Sequence, residues 1–214
     1  MKKAIKVLLV IAVVISLSSF AYSAPGFYAG GNVGIALLDD SNVSVPGFSS
    51  YAYVDNGFSV SGFIGYSFKS NFRTEAELVY QGNDTDSLDY YSPNGIERYD
   101  LTGDISSTSL FINGYYDFRN SSSFTPFIGA GVGFSNVELS DVNFFGGFSD
   151  LNDDDFVLAY HLDAGISYEI NERFTVDLKY RYFETEDPEF DSYFGTGEIE
   201  YSSHNIYTGL RVSF

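Results

Sequence analysis

The chain has 214 residues, no cysteine, no tryptophan and a formal charge of −18 at pH 7. Without cysteine there is neither a disulfide framework nor thiolate chemistry, and so acidic a chain lacks the basic footprint that a nucleic-acid partner requires. Aromatic side chains make up 18% of the residues and glycine contributes 21 more, a mixture that favours strands and close backbone approach and argues against disorder.

The first element is a leader. Met1, Lys2, Lys3 and Lys6 form a basic start, residues 7–15 are apolar, and "SLSSFAYSAPG" follows. This is the layout of a secretory signal peptide. Ala21 and Ser23 are the small residues a signal peptidase inspects, which places cleavage after Ser23 rather than against Pro25. The apolar run is short for a membrane anchor, and beyond Pro25 no stretch approaches the ~20 apolar residues of a transmembrane helix. The expected organisation is a leader over 1–23 and one exported domain over 24–214.

From there a period of two keeps returning. In "GFYAGGNVGIALL" Phe27, Ala29, Val33, Ile35 and Leu37 alternate with Tyr28, Gly30, Asn32 and Gly34. "GFSVSGFIGYSF" sets Phe58, Val60, Ile64, Tyr66 and Phe68 against serines and Gly65, and "FRTEAELVYQ" sets Phe72, Thr74, Ala76, Leu78 and Tyr80 against Arg73, Glu75, Glu77 and Gln81. Over 105–118, Leu110, Ile112, Tyr116 and Phe118 oppose Ser107, Ser109, Asn113 and Asp117. In "FTPFIGAGVGF" the apolar set Phe124, Ile128, Ala130, Val132 and Phe134 faces away from Gly129, Gly131 and Gly133. "FVLAYHLDAGISYEI" opposes Phe156, Leu158, Tyr160, Leu162, Ala164, Ile166, Tyr168 and Ile170 to His161, Asp163, Gly165, Ser167 and Glu169. "RFTVDLKYRYF" opposes Phe174, Val176, Leu178, Tyr180 and Tyr182 to Arg173, Thr175, Asp177, Lys179 and Arg181. The closing strand carries Ile206, Thr208, Leu210, Val212 and Phe214 against Asn205, Tyr207, Gly209 and Arg211. These are eight strands, each near the ~9–11 residues that cross a bilayer at a tilt.

Connections alternate between short and long. Residues 69–71, "RNSSS" and Asn171-Glu172 are short turns, whereas 38–56, 82–104, 138–155 and 184–202 are long. The four long segments hold 22 acidic residues and one base, Arg98, while the rest of the mature chain has seven of each sign. A soluble β-sandwich or lipocalin-like barrel also alternates, but it turns its charges outward. Here one face of every strand is apolar and almost free of charge. Its aromatics gather near strand ends: Phe27, Tyr66, Phe68, Phe72, Tyr116, Phe118, Phe124, Tyr168, Phe174 and Phe214 at the short-turn end, and Phe58, Tyr80, Phe134, Phe156, Tyr160 and Tyr182 at the other. Two such belts are what bilayer interfaces select, and strands in hydrocarbon must close on themselves. The expectation is an all-β, eight-stranded antiparallel up-and-down transmembrane barrel, with short periplasmic turns, long extracellular loops and both termini periplasmic.

"GFYAGGNVG", "PFIGAGVGF", "YHLDAGISYEI" and the terminal "GLRVSF" resemble the opacity-protein-like or OmpA-like outer-membrane β-barrel family over essentially the whole mature chain. The resemblance implies a porin-like fold in the bacterial outer membrane, with outer-membrane lipid and lipopolysaccharide around the barrel. It does not extend to the peptidoglycan-binding domain that often follows in OmpA-type proteins, so wall anchoring is not expected. Phe214, preceded by Val212 and Leu210, resembles the β-signal read by the outer-membrane assembly machinery.

An eight-stranded barrel is just wide enough for its side chains to fill it. Arg73, Glu75, Glu77, Asp117, Asp163, Glu169, Arg173, Asp177, Lys179, Arg181 and Arg211 face inward by alternation, and charges away from water must pair. A salt-bridged plug is the expectation, and a narrow gated diffusion channel the alternative. A lipid-modifying enzyme would need a nucleophile, a base and an orienting acid in contact. His161 beside Asp163 has no serine motif, and His204 in "SSHN" falls on the outward register, so neither suggests catalysis. Asp150, Asn152 and Asp154 reproduce the first ligand spacing of a calcium loop, but Asp155 stands where glycine is needed and the terminal Glu is missing. An EF-hand is excluded, and a solvated acidic surface is the simpler reading, with divalent bridging as the alternative. No cofactor is implied. The expected protein is a monomeric surface barrel whose acidic, aromatic-bearing loops can contact a host surface or another extracellular ligand.

Overall fold

The computed structural model describes residues 26–38, 41–45, 48–54, 56–92, 95–100, 102–144, 148–192, 195–199 and 201–214. The expected leader over 1–23 lies outside them. Among the described residues there are thirteen strands and no helix: β1 (Phe27–Leu38), β2 (Ser41–Val45), β3 (Phe48–Val54), β4 (Gly57–Ser67), β5 (Phe72–Ser92), β6 (Gly95–Asp100), β7 (Thr102–Asp117), β8 (Phe124–Phe144), β9 (Phe148–Glu169), β10 (Phe174–Thr185), β11 (Glu189–Ser192), β12 (Gly195–Ile199) and β13 (Ser202–Ser213).

Eight of them close a barrel. Going round, β1, β4, β5, β7, β8, β9, β10 and β13 pair antiparallel with their neighbours, and β13 returns to β1 through an eleven-residue register from Tyr28↔Ser213 to Leu38↔Ser203. The seam is completed where the Phe214 amide donates to the Phe27 carbonyl at 3.1 Å. Every barrel strand thus has a partner on both sides, which is what a wall in hydrocarbon demands of its backbone.

The long connections are built differently from the loops expected. β5 runs on to Ser92 and pairs there with β3 and β6, and β8 and β9 stay paired as far as Phe144↔Phe148. A second sheet, ordered β11-β12-β2-β3-β5, forms beyond the barrel at this end. At about 3.3 Å per residue, the 22 residues of β9 reach roughly 70 Å, more than twice a hydrocarbon core. Aspartate is depleted in strands, so the acids of 82–104 and 138–155 conceal strands that continue once the wall has left the membrane zone.

The outward face is apolar and solvent-exposed along the middle of the wall, with Val33, Ile64, Leu110, Ile112, Val132, Leu162, Leu178 and Leu210 among its exposed residues. Phe27, Phe68, Phe72, Phe118, Phe124, Tyr168 and Phe174 form an exposed belt at the short-turn end, and edge-on pairs such as Phe72–Tyr116 (5.1 Å) and Phe27–Tyr66 (4.9 Å) link it across strands. Phe58, Phe134, Phe156 and Tyr160 form the other. Tyr80 departs from expectation: it is on the outward register but 0% exposed, its ring 5.8 Å from that of Phe58 and packed with Val60 and Leu78.

Inside, large and small side chains alternate to fill the cylinder. The glycines of "FIGAGVGF" make the room. A Cβ on Gly129 would meet the Tyr115 ring, one on Gly133 the Phe111 ring, and one on Gly131 both Asn113 and His161.

Candidate functional site

Among the described residues, the wall brings chemistry-bearing side chains together in the lumen, which is stratified. In the half nearest the long hairpins, alternation points Val79, Ile105, Phe111, Val137, Val157, Ala159, Phe183 and Tyr201 at one another as a single apolar cluster. Phe111 and Phe183 meet edge to face at 6.0 Å, as do Phe183 and Tyr201 at 5.8 Å. Buried polar side chains are interleaved with the cluster and bond to one another: Gln81 donates to the Tyr201 hydroxyl (3.1 Å), and Ser109 to Ser135 (2.8 Å). This layer is packed like the core of a soluble domain.

The middle layer is ionic. Arg181 lies at its centre, buried, with Nε donating to Asp163 Oδ1 at 2.8 Å and Nη2 donating to Asp163 Oδ2 (2.9 Å) and Glu77 Oε2 (2.8 Å). This is a fork engaging two carboxylates from opposite sides of the barrel, which suits a planar guanidinium better than an ammonium. Lys179 approaches the same pair at 3.4 Å and 3.8 Å. Neutral donors complete the carboxylates: Ser61 (2.7 Å), Asn32 (3.3 Å) and Asn113 (2.8 Å) reach Glu77, and the Tyr115 hydroxyl reaches Asp163 (3.0 Å). The outer face of the guanidinium is 5.5 Å from the Tyr207 ring centre, a cation–π contact in a site with little water.

A third layer lies toward the short turns. Arg73 bonds Glu75 (2.6 Å) and Asp117 (2.9 Å), stacks 4.0 Å over Tyr115, and shares Glu75 with the Tyr28 hydroxyl (3.0 Å). Beside it Ser167 and Arg211 both donate to Asp177, at 2.6 Å and 3.2 Å. Between the second and third layers a cavity of only about 10 Å³ remains, bounded by Asn32, Arg73, Tyr115 and Lys179 among others, the space of about one water. Below the third layer the barrel opens into a polar vestibule of about 380 Å³ at the short-turn rim, reaching Tyr28, Asp117, Arg119, Glu169, Glu172 and Arg211.

Nine of the eleven charged residues expected in the lumen lie in these two ionic layers: Arg73, Glu75, Glu77, Asp117, Asp163, Asp177, Lys179, Arg181 and Arg211. Glu169 and Arg173 do not. Both are exposed at the short-turn end, with Glu169 closing β9 on the rim of the vestibule and Arg173 in the turn before β10, where its amide donates to Asn171 Oδ1. Alternation assigns them the inward side, but at the last residue of a strand there is no longer a lumen to face. His161 is buried, with both ring nitrogens occupied by Asp163 (3.1 Å) and Asn113 (3.0 Å). His204 faces outward, where the Tyr180 hydroxyl lies 2.6 Å from its Nδ1.

The backbone of Asp150, Asn152 and Asp154 belongs to β9, not to a loop. Extended chain spaces alternate residues nearly 7 Å apart along one face, so it does not wrap them round a cation. The side chains of Asp150 and Asn152 lie outside those described, and Asp154 is exposed. No group of three or more potential ligands is assembled among the described residues.

Sequence reasoning named the ions but missed the apolar cluster above them. Phe111, Phe183, Ile105, Val137 and Val157 also face inward, and parity alone finds them: Phe111 sits between Ser109 and Asn113 on the lumenal register of β7.

The closed antiparallel cylinder with an apolar exterior and a filled polar interior agrees with the comparisons. The chain matches the family described as outer membrane protein beta-barrel domain over residues 7–214. The protein is a member of this family. It is 27% identical to the outer membrane protein PagN of Salmonella typhimurium over 192 residues, covering 81% of this chain and 80% of that one. A putative adhesin of Rickettsia canadensis is 28% identical over 162 residues, covering 69% and 70%. Among solved structures, Neisserial surface protein A superposes with a TM-score of 0.58 at 22% identity, covering 90% of this chain and 99% of that one. OprG from Pseudomonas aeruginosa superposes with a TM-score of 0.56 at 18% identity, covering 89% and 97%. Those two similarities speak to the fold. The protein is therefore an outer-membrane β-barrel, and its curated relatives include proteins named as adhesins.

Proposed function

We propose that the protein is a non-enzymatic surface barrel, closed to diffusion, that presents its long hairpins to an extracellular partner. The observation that carries the reading is the contrast between the lumen and the hairpins. The lumen is filled by two ionic layers beneath an apolar one, with a residual cavity of about 10 Å³. The strands meanwhile run far past the membrane zone to form a second sheet. Material is invested in a projecting surface rather than in a passage.

In this reading the short turns and both termini are periplasmic and the hairpins extracellular. The hairpin segments hold 22 acids and one base, so the partner they suit is cationic, such as a basic protein face, rather than another polyanion. Their acids are solvated between lipopolysaccharide headgroups, and the barrel stands as a monomer. Phe214, Val212 and Leu210 serve as the assembly signal, since the closing strand must be delivered to β1.

Two experiments test this. The refolded protein in planar bilayers is expected to show no discrete conductance; regular open levels would make it a channel. Bacteria displaying the full protein are expected to adhere to a surface coated with a basic protein, and bacteria displaying a variant with 41–54 and 189–199 shortened are expected not to. Equal adhesion by both would remove the hairpins from the function.

A further inference from the structure

The hydrogen bonds of the middle layer continue beyond Arg181. Glu77, Asn113, His161 and Asp163 form one chain: Asn113 Nδ2 donates to Glu77 Oε2 (2.8 Å), Asn113 Oδ1 faces His161 Nε2 (3.0 Å), and His161 Nδ1 faces Asp163 Oδ1 (3.1 Å). Both ends are carboxylates. Each is surrounded by donors: Arg181, Ser61 and Asn32 at Glu77, and Arg181, Lys179 and Tyr115 at Asp163. Both are therefore anionic acceptors.

The amide between them has one consistent orientation. Its Nδ2 also donates to the Tyr115 hydroxyl at 3.3 Å, and turning it over would set Oδ1 against the Glu77 carboxylate. With Asn113 so fixed, His161 Nε2 must donate to Oδ1, and Nδ1 must donate to Asp163. A neutral imidazole has one N–H and one lone pair, so it leaves one of these contacts as a lone pair facing an oxygen. The chain is satisfied only when it holds one more proton than neutral histidine supplies.

With all its carboxylates ionised, the charge count of the lumen points the same way. The inward carboxylates are Glu75, Glu77, Asp117, Asp163 and Asp177, while the permanent cations are Arg73, Lys179, Arg181 and the half-buried Arg211. Five negative groups thus face four positive ones, with Asp117 and Arg211 bordering the vestibule and the others enclosed, and buried charge left uncompensated is expensive. We infer that His161 is the fifth cation: the lumen contains a proton-binding site in which His161 is held as an imidazolium between Asn113 and Asp163 at neutral pH.

Six of the eight barrel strands bear on this. Glu77 on β5 and Asp163 on β9 favour the charge. Lys179 and Arg181 on β10, together with burial, oppose it. Tyr115 on β7 and Tyr207 on β13 are neutral, as is the edge of Phe111, 4.8 Å from the ring. Gly131 on β8 supplies the space, since a Cβ there would meet both His161 and Asn113. The contacts with Asp163 and Asn113 must outweigh burial and the two cations, which are themselves bound to the same carboxylates.

The test uses the full barrel in phospholipid vesicles. Replacing His204 by Gln leaves His161 as the remaining histidine of the two, and its ring nitrogens are labelled with ¹⁵N. At pH 7 both nitrogens are expected to resonate as protonated, and still to do so at pH 8, where a free imidazole is about 30-fold in favour of the neutral form. One protonated and one bare nitrogen at pH 7 would overturn the proposal. In Asp163→Asn the same spectrum is expected to show the second proton gone. A ring still doubly protonated there would overturn the pairing with Asp163, and the first measurement decides the proton itself if this variant does not insert.

Discussion

Between Phe111 and Tyr115, four residues apart on the lumenal face of β7, the interior changes character. From Phe111 toward the hairpins, aliphatic and aromatic side chains pack into one apolar cluster. Around Tyr115 five carboxylates and their cations fill the same cross-section. One wall therefore holds two kinds of filling, and they fail in different ways. The apolar layer loses only what is removed from it. The ionic layer is conditional: each charge is tolerable because its neighbours are present, so deleting one exposes the rest.

The largest break in that comparison is expected from Arg181→Met. It strands Glu77 and Asp163 in the interior and should cost about 3–5 kcal/mol, read from urea unfolding in detergent micelles. Phe111→Ala in the apolar layer should cost about 3 kcal/mol by the same measurement. If it cost more than Arg181→Met, the distinction between the layers would collapse. On the outer face Leu178→Arg places a charge against the middle of the hydrocarbon and should cost about 2 kcal/mol; an unchanged unfolding midpoint would argue that this face is not in lipid. At the rim Arg173→Gln should stay within about 0.5 kcal/mol of the parent, because this side chain contributes to neither layer. Deleting Phe214 addresses assembly instead: the deletant is expected to accumulate outside the membrane fraction, and normal insertion would dismiss the assembly signal.

The number of barrel strands and their facing were legible because both rest on a period of two, which survives any tertiary context. Glu77, Asp163 and Arg181 could be assigned to the lumen this way. Their partnership could not, since Arg181 and Glu77 are 104 residues apart and meet across the barrel through a stagger of strands that no local pattern encodes. The strand continuations over 82–92, 138–144 and 148–155 were hidden for another reason. Their aspartates resemble loop chemistry, whereas backbone pairing outside the membrane tolerates them. The apolar layer was overlooked because Phe111 and Phe183 interrupt polar registers one residue at a time. Glu169 and Arg173 show the limit of alternation itself, which assigns a side but not whether anything lies on that side.

The seam between β1 and β13 has a kinetic meaning. Its contacts join residues separated by nearly the whole domain, from Tyr28↔Ser213 to Leu38↔Ser203, whereas β8 and β9 meet through a hairpin that folds back at Phe144↔Phe148. Closing a long span of chain carries the larger entropic penalty, and topologies dominated by distant pairings fold slowly. The hairpins can therefore zip early, while the cylinder stays an open sheet with two bare edges until the final strand arrives. That open interval is when the chain is most exposed to edge-to-edge aggregation.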